Sequence, residues 1–264
     1  MWAEQMLSQI DYTVVPAFAL ILVRLVAFFV TVPLFSYRNV PTTFKIGFSF
    51  FLALIIFFTI DRPTVPVDHT YFLLLFKEAM VGLTIGLLAF IVIQAINVAG
   101  GLIDFQMGFA IANVIDPVTR AQSPLTGQFL YTIATLFLLS VNGHLLLIDG
   151  IFYSYQLIPL DEMVPFGDQS FVELVLRSFG QMFLIAFQMS IPIVGCLFLV
   201  DVAIGIIART VPQLNVFVVG LPIKILVAFV LLFLSIGVYM TVVRQLFDYM
   251  LVTMRDLMVL FGGS

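Results

Sequence analysis

Six apolar bands run along this chain, roughly at 12–32, 44–60, 71–96, 126–148, 179–207 and 216–243. Each is about as long as the ~17–25 residues that a helix needs to cross a bilayer. Inside lipid, every backbone N–H and C=O must find its partner within the segment, which leaves helices as the natural solution. The bands therefore predict an all-α, polytopic membrane-type protein with about six long, broken helices. Composition agrees, because 10% of the residues are charged, against roughly 25% in a soluble domain. Proline marks the boundaries: Pro33 and Pro41 frame the first turn, Pro63 and Pro66 the second, Pro159 and Pro165 the fourth, Pro212 and Pro222 the fifth. The net charge of −4 and the lack of any Lys/Arg run disfavour nucleic acid as a partner. The single Cys196 rules out a disulfide framework within the chain. Glu4 and Asp11 precede the first band, no basic stretch does, and a cleaved signal peptide is not expected.

One stretch does not fit the pattern. Residues 97–124 read NVAGGLIDFQMGFAIANVIDPVTRAQSP. They are too apolar for a solvent loop, and Gly100, Gly101, Asp104, Gly108, Asp116 and Pro117 interrupt them too often for one spanning helix. Irregular backbone near membrane depth must be buried in protein or line a cavity. A re-entrant, plug-like loop is expected here, serving as a gate, a plug or a binding site. Met107 and Phe109 are suited to closing a pore by excluding water, with ordinary core packing standing equal beside that role.

Charges inside the bands are the second anomaly. Arg24 interrupts the first, Lys77 and Glu78 the third, and Asp201 the fifth, where Pro192 also predicts a kink. Each costs about 2.5–3.5 kcal/mol on insertion scales, so each should face protein or water. Lys77 and Glu78 are adjacent, about 100° apart around a helix, and are not expected to pair with each other; neutralisation by a neighbouring helix or subunit is favoured over a proton relay. Asp201 is the best single candidate for an ion or proton site. The plainer reading is a buried salt bridge to Arg24, Lys77, Lys224 or a partner's cation. Gly82 and Gly86 form a G-x-x-x-G pair that allows close helix approach, and Gln181 and Gln188 read as interhelical hydrogen bonders. With the N-terminus outside, five cations (Arg38, Lys45, Arg120, Arg209, Lys224) fall inside against four outside (Arg62, Arg177, Arg244, Arg255), an indecisive count that suits a protein held by partner subunits. From Arg244 to Phe261 the pattern becomes amphipathic. Arg244, Asp248, Arg255 and Asp256 lie on one side; Leu246, Phe247, Met250, Met254, Leu257, Met258 and Phe261 lie on the other. Such a C-terminal helix suits a membrane interface or a partner groove.

Enzyme signals are thin. Ser140 and His144 share a helical face at i, i+4, yet no G-x-S-x-G surrounds Ser140 and no third orienting residue is evident. His144 reads as a helix-end residue at an interface. No HExxH, CxxC or P-loop occurs, and neither catalysis, a cofactor nor a metal is expected.

Four stretches together resemble a known family: PLFSYRNVP at 33–41, GGLIDFQMGFAIANVIDP at 100–117, VNGHLLLI at 141–148 and, most specific, ARTVPQLNVFVVGLPIKI at 208–225. They are similar to the FliR family of export-gate membrane proteins of bacterial flagella, whose relatives (the SpaR- and SctT-like proteins) serve injectisome type III secretion. The resemblance covers nearly the whole chain. It implies an N-terminal part, 1–178, that is FliP-like and contains the plug segment 97–124, and a C-terminal FliQ-like hairpin with an amphipathic tail, 179–264, the two forming one integral unit. It implies FliP-like and FliQ-like gate subunits, FlhB- and FlhA-like export proteins, unfolded protein substrates and membrane lipid as partners, in the bacterial inner membrane at the flagellar basal body. Gln106, Met107, Phe109, Asp116 and Pro117 would then belong to the pore plug. Arg209, Pro212, Gln213, Asn215, Pro222 and Lys224 would form a subunit or cytoplasmic-partner contact at the hairpin tip. A self-contained small-solute or ion-coupled transporter is the alternative; it would need related halves with paired broken helices, and no repeat is detectable.

Overall fold

The computed structural model describes residues 15–37, 40–60, 68–109, 124–211, 213 and 215–262, the side chains of Val216 and Phe217 aside. Eight helices occur among them: α1 Val15–Thr31, α2 Thr42–Thr59, α3 His69–Ile93, α4 Ala95–Met107, α5 Leu125–Ser140, α6 Gly143–Leu157, α7 Gln169–Thr210 and α8 Val216–Gly262. Among the described residues there is no strand, so the protein is all-α as its bands predict. Four helical stretches are long and apolar enough to cross a membrane, or five if the bent pair α5–α6 counts as one span; α1 is a shorter apolar helix.

The chain divides into two compact units, one containing Met1–Ile91, Asn142–Ser178 and Met250–Ser264, the other Val92–Val141 and Phe179–Tyr249. In the first, α1 packs on α2 through edge-on aromatic pairs, Phe18 with Phe50 at 5.5 Å and Phe29 with Phe48 at 5.2 Å. On its other side α1 meets α3. A Cβ added to Gly82 would lie 2.2 Å from the Arg24 carbonyl oxygen, and one on Gly86 would lie 2.1 Å from the Thr31 hydroxyl. The G-x-x-x-G pair thus brings two helices of this one chain together. Phe261 near the C-terminus packs against Phe166 and Phe171 at 5.0 and 5.4 Å. In the second unit α4 packs on α5, and the Tyr239 hydroxyl of α8 donates to the Leu130 carbonyl of α5 at 2.7 Å.

Several boundaries differ from those read in the sequence. Helix continues from α3 through a single-residue gap at Gln94 and on to Met107, so Gly100, Gly101 and Asp104 do not break it. Gly100 is there for packing: its missing side chain leaves room for Gly127, whose Cα would be 2.1 Å from an added Cβ. Band 126–148 is two helices, broken at Val141 and Asn142, where Asn142 takes a left-handed φ of 57°. That break removes the helical face expected to join Ser140 and His144, and the Ser140 hydroxyl donates instead to the Phe137 carbonyl at 2.7 Å. Pro222 lies inside α8 rather than at its border, and α7 runs through Pro192 as one helix of 42 residues. The amphipathic tail is the end of the 47-residue α8, not a separate helix. Its faces are as read, since Leu246, Phe247, Met250, Met254, Leu257, Met258 and Phe261 are buried while Arg244, Asp248, Arg255 and Asp256 are exposed. The apolar face is covered by the chain itself, which corrects the expectation of a membrane or partner surface there.

Candidate functional site

The anomalous segment is fixed at both ends. At its start, α4 stops at Gly108, whose φ of 89° is left-handed and open to glycine at little cost. The Gly108 N–H donates to the Phe105 carbonyl at 3.1 Å and the Phe109 N–H to the Asp104 carbonyl at 3.0 Å. This is a Schellman closure, which satisfies carbonyls that a helix end otherwise leaves unpaired. Gly108 also sits against α8, where an added Cβ would come within 2.8 Å of Leu221 Cδ1.

At the other end, α5 begins after Pro124, which supplies no side-chain cap. The cap comes from across the segment. Asp104 is buried, and its Oδ2 accepts the Thr126 backbone N–H at 3.2 Å while its Oδ1 accepts the Thr126 hydroxyl. A carboxylate at a helix N-terminus serves both the orphan N–H groups and the positive end of the helix dipole. The chain leaves α4 and re-enters α5 at one clasped point, with residues 108–124 between.

A second contact holds the same helix end. Lys224 of α8 forms an ion pair with Asp201 of α7. The other Asp201 oxygen accepts Gln106 Nε2 at 2.9 Å, and Lys224 Nζ donates to the Gln106 carbonyl at 3.3 Å. The three residues close a ring of polar contacts around the last turn of α4. Of the pairings expected for Asp201, the one with Lys224 is formed. Burial is not: the Asp201 side chain keeps 37% of its exposure, because it lies near the tip of the α7–α8 hairpin rather than in a core.

The other bandwise charges form a separate, closed cluster in the first unit. Arg24, Lys77 and Glu78 are buried. Arg24 pairs with Glu78 through Nε and donates from Nη2 to the same carboxylate at 2.9 Å. Lys77 also reaches Glu78, at 2.5 Å, which overturns the expectation that these neighbours cannot pair; the long lysine stem bends across the angle that separates their Cβ atoms. Two cations against one anion are balanced by a helix end. Arg24 donates to the carbonyls of Ser154 and Ile158 at 3.0 Å each, and Lys77 to those of Pro159 and Leu160 at 2.8 and 3.3 Å. These carbonyls lie at and just beyond the C-terminus of α6, where cations are favoured. Tyr155 completes the enclosure, its ring 4.3 Å from the Arg24 guanidinium carbon. A cluster so fully satisfied is a structural tie among α1, α3 and α6.

The expected plug residues separate in the structure. Met107 is fully buried, with its sulfur 4.0 Å from the Thr126 hydroxyl, so it anchors the segment from within the fold. Gln106 and Phe109 are half-buried. Asp116 and Pro117 lie outside the described residues, as does Pro212 of the hairpin tip. Arg209, Gln213, Asn215 and Pro222 are exposed around that tip, whereas Lys224 is engaged with Asp201 and Gln106. The Asp104–Thr126 clasp was missed in the sequence, where Asp104 counted only as a helix breaker. Its signal was an isolated acid in an apolar helix, followed by a helix start at Pro124 that lacks its own cap.

Relatives match along most of the chain. Residues 15–250 match the family described as bacterial export proteins, family 1. The flagellar biosynthetic protein FliR of Bacillus subtilis (strain 168) is 59% identical over 251 residues, which cover 94% of this chain and 97% of that protein. The Yop proteins translocation protein T of Yersinia pestis is 33% identical, over 81% of this chain and 84% of the relative. FliR of Escherichia coli (strain K12) is 28% identical, over 85% and 84%.

Proposed function

This chain belongs to the bacterial export proteins, family 1, and on that premise we propose that it is a membrane subunit of the flagellar type III protein export gate. With FliP-like and FliQ-like subunits it forms a gated channel in the bacterial inner membrane, through which unfolded flagellar proteins pass. FlhA- and FlhB-like proteins are its further partners. The α7–α8 pair takes the place of a FliQ-like hairpin, and the part before residue 179 that of a FliP-like subunit. The role is mechanical: the chain obstructs and then clears a conduit, and the driving energy comes from elsewhere in the apparatus.

The observation that carries the proposal is the double clasp on residues 108–124. An apolar segment held at its start through Gln106, which bonds to Asp201 and Lys224, and at its return by Asp104 and Thr126, can fill a pore without being lost from it. Soft, apolar side chains exclude water and ions from such a constriction. The transporter alternative loses support, because Asp201, its obvious acid, is already paired with Lys224.

Deleting residues 110–120 while keeping both clasps tests the gate. The purified complex with its partner subunits, reconstituted in liposomes, should conduct small ions that the unaltered complex holds back. Equal conductance from the two complexes would overturn the gate role.

A further inference from the structure

We infer that a groove between the end of α2 and the outer face of α6 receives an extended, arginine-bearing segment of a partner polypeptide. The groove is a cavity of about 710 Å³ within the first unit, a size in the range of ~300–1,000 Å³ that ligand sites occupy. Asp149, Tyr153 and Gln156 of α6 line it at i, i+4 and i+7, and Asp161 lines it beyond the helix end. All four are exposed, so the groove opens to the surface along a helix face. Seven residues of helix rise about 10 Å, which matches about three residues of extended chain. A polypeptide suits that open trough, whereas a small ligand needs most of its surface enclosed.

Charge selects the occupant. No cation lines the groove, and among the described residues neither Asp149 nor Asp161 forms an ion pair. Arg24 and Lys77 lie behind its wall, with side chains 0% and 2% exposed. Asp161 is near enough to Lys77 to be attracted by it, which leaves Asp149 the freer carboxylate. Phe152, Tyr153 and Tyr155 add aromatic rings to the same lining. A guanidinium suits both surfaces, since its fork pairs with carboxylates and its plane stacks on rings.

The inner wall is pre-formed. The Tyr155 hydroxyl donates to the Ile21 carbonyl at 2.9 Å, and its ring holds Arg24. Lys77 grips the carbonyls of Pro159 and Leu160, which line the groove as well. The buried charge cluster thus shapes the groove before a partner arrives, and little is lost to ordering on binding.

The test uses the full-length chain in dodecyl maltoside, titrated at low salt with a fluorescein-labelled peptide, Ala-Arg-Ala-Arg-Ala. Fluorescence anisotropy should rise and saturate with a Kd below about 1 mM. Citrulline in place of both arginines keeps the shape, removes the charge and should weaken binding at least about tenfold. Asp149→Asn with Asp161→Asn should weaken it about tenfold, with Asp149→Asn the larger single effect. Gln156→Lys places a cation in the groove and should abolish binding. Asp248→Asn with Asp256→Asn, at exposed acids elsewhere, should leave it unchanged. The groove assignment is overturned if the peptide does not bind, if its citrulline form binds equally, or if the Asp149, Asp161 and Gln156 variants, melting as the unaltered chain does, bind it undiminished. Agmatine competing at the peptide's own concentration would overturn the polypeptide in favour of a small amine. Binding and conductance are read separately, so either the groove or the gate can fail without the other.

Discussion

The carboxylate of Asp104 receives both the backbone N–H and the hydroxyl of Thr126, 22 residues further along the chain. One acid thereby closes the base of the segment that the sequence singles out and starts the helix that follows. Asp104→Ala removes a helix cap, worth about 0.5–2 kcal/mol, and strands the N–H and hydroxyl of Thr126 in a buried setting. The purified complex should melt several degrees lower and leak ions. Asp104→Asn should fall between, since its amide oxygen still accepts one bond; melting curves and conductance traces for the two variants check the order.

Glu78 forms ion pairs with both Arg24 and Lys77 in the enclosed cluster. Glu78→Gln leaves two buried cations facing helix carbonyls alone, and breaking a buried pair costs about 3–5 kcal/mol. Protein levels in isolated membranes should drop sharply. Replacing the cluster together, with Glu78→Leu, Arg24→Met and Lys77→Met, should recover more protein than Glu78→Gln. Quantitative blots of membrane fractions would reverse this view if the triple variant proved the poorer.

Glycines in this chain fall into two kinds, and alanine distinguishes them. Gly82→Ala and Gly100→Ala push a methyl to within 2.2 and 2.1 Å of the facing backbone, so the helices must separate. Gly47 has nothing within 4 Å of an added Cβ, and Gly47→Ala should raise stability slightly, because glycine inside a helix costs about 1 kcal/mol relative to alanine. Thermal shifts of opposite sign are the expected readout.

Gly108→Ala faces two penalties: a left-handed backbone that costs a residue with a Cβ about 1–2 kcal/mol, and contact with Leu221 at 2.8 Å. Gly108→Ala with Leu221→Ala should recover only the second, so the double variant should melt above the single one and below the unaltered protein.

Helix content and the apolar faces were legible in the sequence because lipid-like composition and 3.6-residue periodicity both report on local structure. The amphipathic tail shows how far that goes. The eleven positions named from the pattern are buried or exposed as read, although Thr253 is buried and Val252 exposed against it. The pattern says nothing about which surface covers the apolar face, which here the chain covers itself. Lys77 and Glu78 show a second limit, since Cβ directions exclude a contact that a four-carbon stem can still make. Asp201 was readable as a charge in need of a partner, and Lys224 was among those considered; Gln106 was invisible as the third member because neutral amides leave no hydropathy signature. Gly100 and Asp104 were misread as breakers because composition alone does not separate a residue that ends a helix from one that lets another helix approach or start. The hairpin-tip residues Arg209, Gln213 and Pro222 lie on exposed surface, where a partner subunit rather than this chain's own core would fix their roles.

The great length of α7 and α8 has a consequence for how such a protein lives in the cell. A helix of 42 residues rises about 63 Å and one of 47 about 70 Å, at 1.5 Å per residue, whereas the hydrocarbon slab is about 30 Å deep. Lipid alone does not sheathe either rod from end to end. The far end of the longer rod is wrapped by its own chain and turns Arg244, Asp248, Arg255 and Asp256 outward. On the proposed gate reading companion polypeptides would sheathe the apolar flank that remains, and a copy made without them should be cleared by quality-control proteases, so its abundance should follow the supply of its neighbours.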